Sequence, residues 1–215
     1  MRLSLVSNLI RTSRWATMIE LMAMLAIVGL GIWSMFSVIT SGIYFAKDTE
    51  DTIKAINLAR EWIEWVTNIR NTNWLRFSSD RTNCWKSLGY DSFCIGSTTL
   101  WDKIWTGSYV LNTSNWLWHL SGTTIINPTT DWATYSNTYF TIQDPAGFSN
   151  QTGSVNLPVC TNTIQKTCKS IFTREIQIVP DGDNTLYVKS IVRWNNKWIR
   201  TIELQTTLTN WKSKF

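Results

Sequence analysis

The sequence is poor in the residues from which most enzyme and metal sites are built. Among its 215 residues there is one histidine, His119, and there are only four cysteines and four prolines. No short Cys-x-x-Cys pair, histidine-based triad, nucleophile elbow or phosphate loop is present. The sequence therefore predicts a non-enzymatic protein that needs no cofactor.

Charge is also scarce, and it is unevenly distributed. Arg2, Arg11 and Arg14 lie in a leader of 15 residues that contains no acid, and the whole chain carries +5. The remainder therefore carries +5 − 3 = +2. This surplus is too small to favour a nucleic-acid partner, and no cluster of basic residues alternates with aromatic ones.

A long apolar stretch without any charged residue runs from Leu21 to Ala46. A helix needs about 20 apolar residues to cross a bilayer, and the apolar part of a secretory signal has only about 7–15. Because the arginines precede this stretch, the N-terminus is expected in the cytoplasm and the C-terminal part outside. The sequence predicts a single-pass membrane anchor.

The start of the apolar stretch carries a recognisable pattern. Trp15 follows the basic leader, and Ala16-Thr17-Met18-Ile19-Glu20 follows Trp15. This pattern resembles the N-terminus of the type IV pilin and pseudopilin family, which usually has glycine before the cut and phenylalanine after it. The resemblance implies cleavage by prepilin peptidase after residue 15, N-methylation of Ala16, and assembly with other pilin subunits on a membrane platform.

Glu20 has two interpretations at this position. A carboxylate at the start of a membrane helix is costly unless it is paired. After cleavage, the amine of Ala16 in one subunit can pair with Glu20 of a neighbouring subunit and fix their axial register. The alternative is a carboxylate that extends to the membrane interface.

Tryptophan is unusually abundant, with 14 residues against ten glycines. Glycine would suit several of these positions, and we hypothesise that some are UGA codons that the source organism reads as glycine. The alternative is a chain that is truly rich in tryptophan. The best candidates are Trp15, Trp62, Trp65 and Trp198; weaker ones are Trp33, Trp101, Trp105 and Trp132; genuine tryptophans are expected at Trp74, Trp116, Trp194 and Trp211.

The cysteines form two local pairs in polar regions. An exported domain with four cysteines is expected to form disulfides, and three pairings are possible. Nearness in sequence favours Cys84–Cys94 and Cys160–Cys168.

The predicted fold is α+β, with one long helix and an antiparallel sheet of about four to six strands. We expect a leader (1–15), a transmembrane or filament-core helix (16–46), an amphipathic continuation (47–72) and a β-rich head (73–215). The helix should run from about Thr17 to Thr72. Its head-facing stripe is predicted at Ile53, Ile56, Ala59, Ile63, Val66 and Ile69.

The head shows a clear β pattern only near its end. Residues 73–115 are rich in loop-forming residues, and residues 116–127 and 138–143 resemble short strands. Alternating segments at 171–179, 186–194 and 199–208 predict an antiparallel meander that packs on the helix. Asp181 and Asp183, in the first turn of this meander, are weak calcium candidates; a plain hairpin turn is the simpler interpretation.

The favoured function is a structural subunit of a type IV pilus or pseudopilus. It would reside in the cytoplasmic membrane before assembly, with the head exported, and in a cell-surface filament afterwards. One alternative is a membrane-anchored module that binds carbohydrate or mediates adhesion. Another is a minor subunit that primes a secretion or DNA-uptake filament.

Overall fold

The structure is a computed structural model that describes residues 3–90, 94–96, 103–114, 117–144, 147–149, 159–160 and 168–210, with the side chains of 3–16, 113, 114, 117, 143, 144 and 147–149 left out. Its helices are α1 (Leu3–Arg76), α2 (Arg81–Cys84) and α3 (Trp132–Thr138). Its strands are β1 (Gly107–Ser114), β2 (Leu117–Thr123), β3 (Phe140–Asp144), β4 (Gly147–Ser149), β5 (Cys168–Asp181), β6 (Thr185–Asn196) and β7 (Trp198–Thr209).

The chain divides into two compact units, Met1–Asp51 and Thr52–Phe215. In the first unit, the described residues belong to α1. The second unit, called the head below, contains the rest of α1 and the sheet. The predicted α+β layout, with a long apolar N-terminal helix and a C-terminal antiparallel sheet, is confirmed.

Helix α1 is longer than the sequence pattern predicts. It begins at Leu3 rather than near Thr17, and it ends at Arg76 rather than Thr72. No proline occurs in this range, and the first glycine is Gly29, so nothing in the leader breaks the helix. The basic leader and the apolar stretch are therefore parts of one continuous helix.

The described strands form a seven-stranded antiparallel sheet, which is larger than expected. The predicted meander is confirmed, because β6 pairs with both β5 and β7. The other edge of β5 pairs with β1 and with β3. Strand β1 lies in the region predicted to be loop, because polar residues are frequent in 107–114, although the four residues 108–111 are all buried.

The head half of α1 packs on one face of the sheet. Its buried residues are Ala55, Leu58, Ala59, Trp62, Val66 and Ile69, which contact sheet residues including Phe172, Ile176, Ile178 and Val192. The predicted stripe was therefore partly wrong: Ile53 is 54% exposed, and Ile56 and Ile63 are only partly buried. Trp62, rather than Ile63, is central to the buried face.

The other face of the sheet is partly covered by α3, which the sequence analysis missed. Asp131 caps this helix by accepting a hydrogen bond from the Thr134 amide at 2.9 Å. Tyr135 and Tyr139 are fully buried and contact Val110 of β1. The head is thus a sheet between two helical layers of unequal size.

Candidate assembly segment and head-domain sites

The apolar segment Leu21–Ala46 is exposed along its whole length. Every described side chain from Thr17 to Lys47 is solvent-exposed, including Phe36 at 63% and Phe45 at 76%. Among the described residues, one helix is long and apolar enough to cross a membrane, and it contains this segment. Such a surface is stable in water only when a membrane or a protein partner covers it.

Three hydroxyl side chains within this segment are satisfied by the helix itself. Ser34 donates to the Gly31 carbonyl at 2.8 Å, and Ser41 donates to the Ser37 carbonyl at 2.8 Å. Thr40 donates to the Phe36 carbonyl at 3.0 Å. Because these hydroxyls already have acceptors, they add little cost to an apolar environment.

The residues of the predicted processing site lie on one continuous helix. Trp15 and Ala16 have helical backbones, and their side chains lie outside the described part of the structure. Thr17 and Glu20 are exposed. Ala16 and Glu20 are four residues apart, so they lie on the same helix face with a rise of about 6 Å between them.

A buried cation joins the head half of α1 to the sheet. Arg174 of β5 is 1% exposed, and its guanidinium pairs with the Glu61 carboxylate at 3.0 Å. The guanidinium also lies 4.4 Å from the ring centroid of Trp62. Burial lowers the pKa of Arg174 to about 10, against the opposing effect of Glu61, so the group stays charged at neutral pH.

A polar cluster occupies the opposite face of the sheet, beneath α3. Glu175 is buried, and its carboxylate accepts hydrogen bonds from Ser108 at 2.7 Å, Tyr135 at 3.0 Å and Arg193 at 2.7 Å. Burial alone would raise the pKa of Glu175, but hydrogen bonds from Ser108, Gln177 and Arg193 outweigh it and lower the pKa. The cluster fixes α3 on the sheet.

Sequence reasoning missed both of these charged groups. Their signal was present, because Arg174 and Glu175 interrupt an otherwise apolar alternating strand. Adjacent residues of a strand point to opposite faces, so each charge needs its own partner.

Both locally paired disulfides are present. Cys84 bonds to Cys94, and Cys160 bonds to Cys168. The first bond is buried with Phe77 in a small cluster just after α1. The second joins a described segment to the first residue of β5.

Asp181 and Asp183 lie where β5 turns into β6. Gly182 between them has a φ of +65°, which suits a tight turn. Asp181 accepts a hydrogen bond from Tyr187 at 3.2 Å. Within the described parts of the chain, no three acidic, histidine or cysteine side chains group together as metal ligands.

The tryptophans suspected of recoding occupy very different environments. Trp62 is fully buried, and the ring centroids of Trp65 and Trp118 lie 4.4 Å apart. Trp33 is 78% exposed, and Trp198 is 75% exposed. In the turn before Trp198, Lys197 has a positive φ of 64°. Trp132, another candidate, stacks on Tyr135. Trp74 and Trp194, which were expected to be genuine, are buried. The structure does not describe Trp101, Trp116 or Trp211.

Comparison of the chain with protein-family models, curated proteins and solved structures finds no match.

Proposed function

We propose that the chain is a filament subunit of the type IV pilin or pseudopilin kind, cleaved after Trp15 and assembled through the apolar half of α1. The observation that carries the proposal is the exposed segment Leu21–Ala46, with a single carboxylate, Glu20, at its start. An ordinary anchor has no need of a carboxylate there, whereas a helix that packs against identical helices can use it.

The proposed assembly follows from charge pairing. Cleavage creates a positively charged amine at Ala16, and Glu20 of an adjacent subunit is its nearest source of negative charge in an apolar bundle. Because the two groups are about 6 Å apart along one helix, pairing between subunits sets an axial offset. The contact joins different surfaces of the two subunits and does not close, so it generates a fibre.

Glycines in the apolar segment support close packing of neighbouring helices. A Cβ atom added at Gly29, Gly31 or Gly42 would meet nothing within 4 Å. These positions thus present bare backbone to their surroundings. Small residues of this kind let helices approach closely in apolar environments.

The partners in this proposal are prepilin peptidase, other subunits and a membrane assembly platform. Subunits would wait as single-pass proteins in the cytoplasmic membrane, with the head exported. They would then be extracted into a surface filament. A minor priming subunit of a secretion or DNA-uptake system would use the same segment.

Glu20→Ala tests the pairing, with Glu64→Ala as the matched control. Glu64 is an exposed acid on the head half of the same helix, so its removal also deletes one carboxylate from α1. We expect Glu20→Ala to insert into membranes normally but to be lost from sheared filaments. Glu64→Ala should be incorporated like the unmodified chain. Normal incorporation of Glu20→Ala would refute the pairing.

A further inference from the structure

A groove in the head domain lies next to the turn between β5 and β6. It has a volume of about 480 Å³ and is formed by three separate segments of the chain. Its lining residues are Thr82, Asn83, Lys86, Lys103, Ile104, Trp105, Pro180, Gly182 and Asp183. Neither the polymerising helix nor the buried charge clusters use this groove.

One wall of the groove contains Trp105, whose backbone is held by two hydrogen bonds. The Trp105 amide donates to the Tyr109 hydroxyl at 3.0 Å, and that hydroxyl donates back to the Trp105 carbonyl at 2.8 Å. The side chain nevertheless remains 43% exposed. An exposed tryptophan whose backbone is tied on both sides is a prearranged stacking surface.

The neighbouring strands make room for this indole. A Cβ atom added at Gly107 would lie 3.2 Å from Nε1 of Trp105, and one added at Gly122 would lie 3.7 Å from Cζ2. A side chain at Gly107 would therefore crowd the ring. The proposal below requires a genuine tryptophan at position 105, contrary to the weaker recoding hypothesis for that residue.

Two ammonium groups share the groove with the indole. Lys86 donates to the Gly182 carbonyl at 2.8 Å, and Lys103 donates to the Asn83 side-chain carbonyl at 2.9 Å. Each ammonium has three N–H donors, so these bonds orient the lysines without using all their donors. Partial burial lowers the pKa of Lys86, the nearby Asp183 opposes this effect, and the positive charge of Lys103 adds to it.

Among the described residues that line the groove, positive charges outnumber negative ones. Asp183 is the only acid in this set, against two lysines. Asp80 lies near Lys103 outside this lining, and its carboxylate accepts hydrogen bonds from Asn83 and from the Gly96 amide at 2.8 Å. The described lining residues therefore carry one excess positive charge.

We propose that this groove binds an acidic sugar, with the pyranose ring stacked on Trp105 and its carboxylate placed between Lys86 and Lys103. Thr82, Asn83 and Asp183 supply the hydroxyl, amide and carboxylate groups that bind sugar hydroxyls. A nucleic-acid strand fits less well, because successive bases need several aromatic surfaces and several cations along a path. The proposal is independent of filament assembly.

The test uses the full chain in detergent micelles and isothermal titration calorimetry. The probes are a tetrasaccharide of galacturonic acid, the matching neutral tetrasaccharide of galactose, and a single-stranded oligonucleotide of thymidine. We expect saturable binding of the acidic sugar that weakens as salt is added. Tighter binding of the oligonucleotide, equal binding of the neutral sugar, or no binding to the acidic sugar would overturn the proposal.

Three variants distinguish a loss of sugar binding from a loss of folding. Trp105→Ala should weaken binding of the acidic sugar about tenfold, as expected for loss of one aromatic stack. Trp198→Ala is the control, because it removes another exposed tryptophan of the head. Lys103→Met should also weaken binding and reduce its salt dependence, and thermal unfolding should report that each variant is folded. Unchanged affinity in folded Lys103→Met would contradict the proposal, as would glycine at position 105 in peptides of the natural protein.

Discussion

The two halves of α1 differ in how their apolar surfaces are covered. Both carry a large apolar surface, but the half from Thr52 to Arg76 buries its stripe against the sheet, whereas Leu21–Ala46 buries nothing. The head half also has charged residues on its other faces, such as Arg60 and Glu64. The apolar half has none, so its entire circumference needs a cover.

This difference assigns a separate role to each half. A helix that is apolar on one stripe is a structural element of a soluble domain, and one that is apolar all round needs a membrane or neighbouring helices. The head can fold around its half of α1 using contacts within one subunit. The apolar half gains its contacts only from the bilayer or from other chains.

The largest expected effect comes from replacing one tryptophan by glycine in each half of α1 and comparing the stability of the head. Trp62→Gly removes a fully buried side chain and the ring beneath Arg174, and it should lower the free energy of unfolding of the head by about 3–5 kcal/mol or more. Trp33→Gly should change the free energy of unfolding of the head by less than about 0.5 kcal/mol, because Trp33 is 78% exposed and lies outside the head.

Chemical denaturation of both variants in detergent, followed by near-ultraviolet circular dichroism of the head, measures this contrast. Equal stability of Trp62→Gly and the unmodified chain would show that the head does not need this indole. That result would also strengthen the hypothesis that position 62 is glycine in the natural protein. UGG codons at positions 15, 62, 65 and 198 would refute recoding.

A smaller effect tests the ion pair between α1 and β5. Glu61→Gln leaves the guanidinium of Arg174 buried without its carboxylate, and it should destabilise the head by about 1.5–3 kcal/mol. Glu64→Gln removes an exposed carboxylate one turn further along and should change stability by less than about 0.5 kcal/mol. Identical denaturation midpoints for the two variants would contradict a stabilising role for this pair.

The last prediction concerns acid sensitivity, which should be confined to the head. The folded pKa of Glu175 lies below its unfolded value of about 4.3, so its contribution is present above that pH and is lost as the pH falls through the folded pKa. Glu175→Gln leaves the largely buried guanidinium of Arg193 without its carboxylate, so it should cost about 1.5–3 kcal/mol at neutral pH and flatten the stability profile below about pH 4.

Circular dichroism in detergent between pH 2 and pH 7 follows the titration of Glu175. This range spans about 2 pH units on either side of the unfolded pKa of about 4.3. Helicity of the apolar half should persist throughout, because residues 21–46 contain no titratable acid. An unchanged acid profile in Glu175→Gln would show that other carboxylates dominate acid unfolding.

Sequence patterns predicted the parts of the fold that depend on regular repetition. The meander was predicted because Ile176, Ile178, Val188 and Val192 alternate with polar residues, and the apolar helix because charge is absent over a long stretch. Strand β1 and helix α3 were missed because their burial depends on partners distant in sequence, such as β5 for Tyr109.

The head-domain sites were less predictable for the same reason. The pairing of Arg174 with Glu61 joins residues 113 positions apart, and the groove at Trp105 needs three separate segments. The predicted stripe of α1 was partly wrong because it included Ile53 and Ile63 but not Trp62, and the face that is buried is set by contacts with sheet residues distant in sequence.

The central claim is that the apolar half of α1 is a processed assembly segment, and its most direct test is the N-terminus of the natural protein. Filaments sheared from the cell surface are digested, and the N-terminal peptide is identified by mass spectrometry. The proposed function predicts a chain that starts at N-methylated Ala16. An intact N-terminal leader in the filament fraction, or a monomeric membrane protein that keeps residues 1–15, would contradict it.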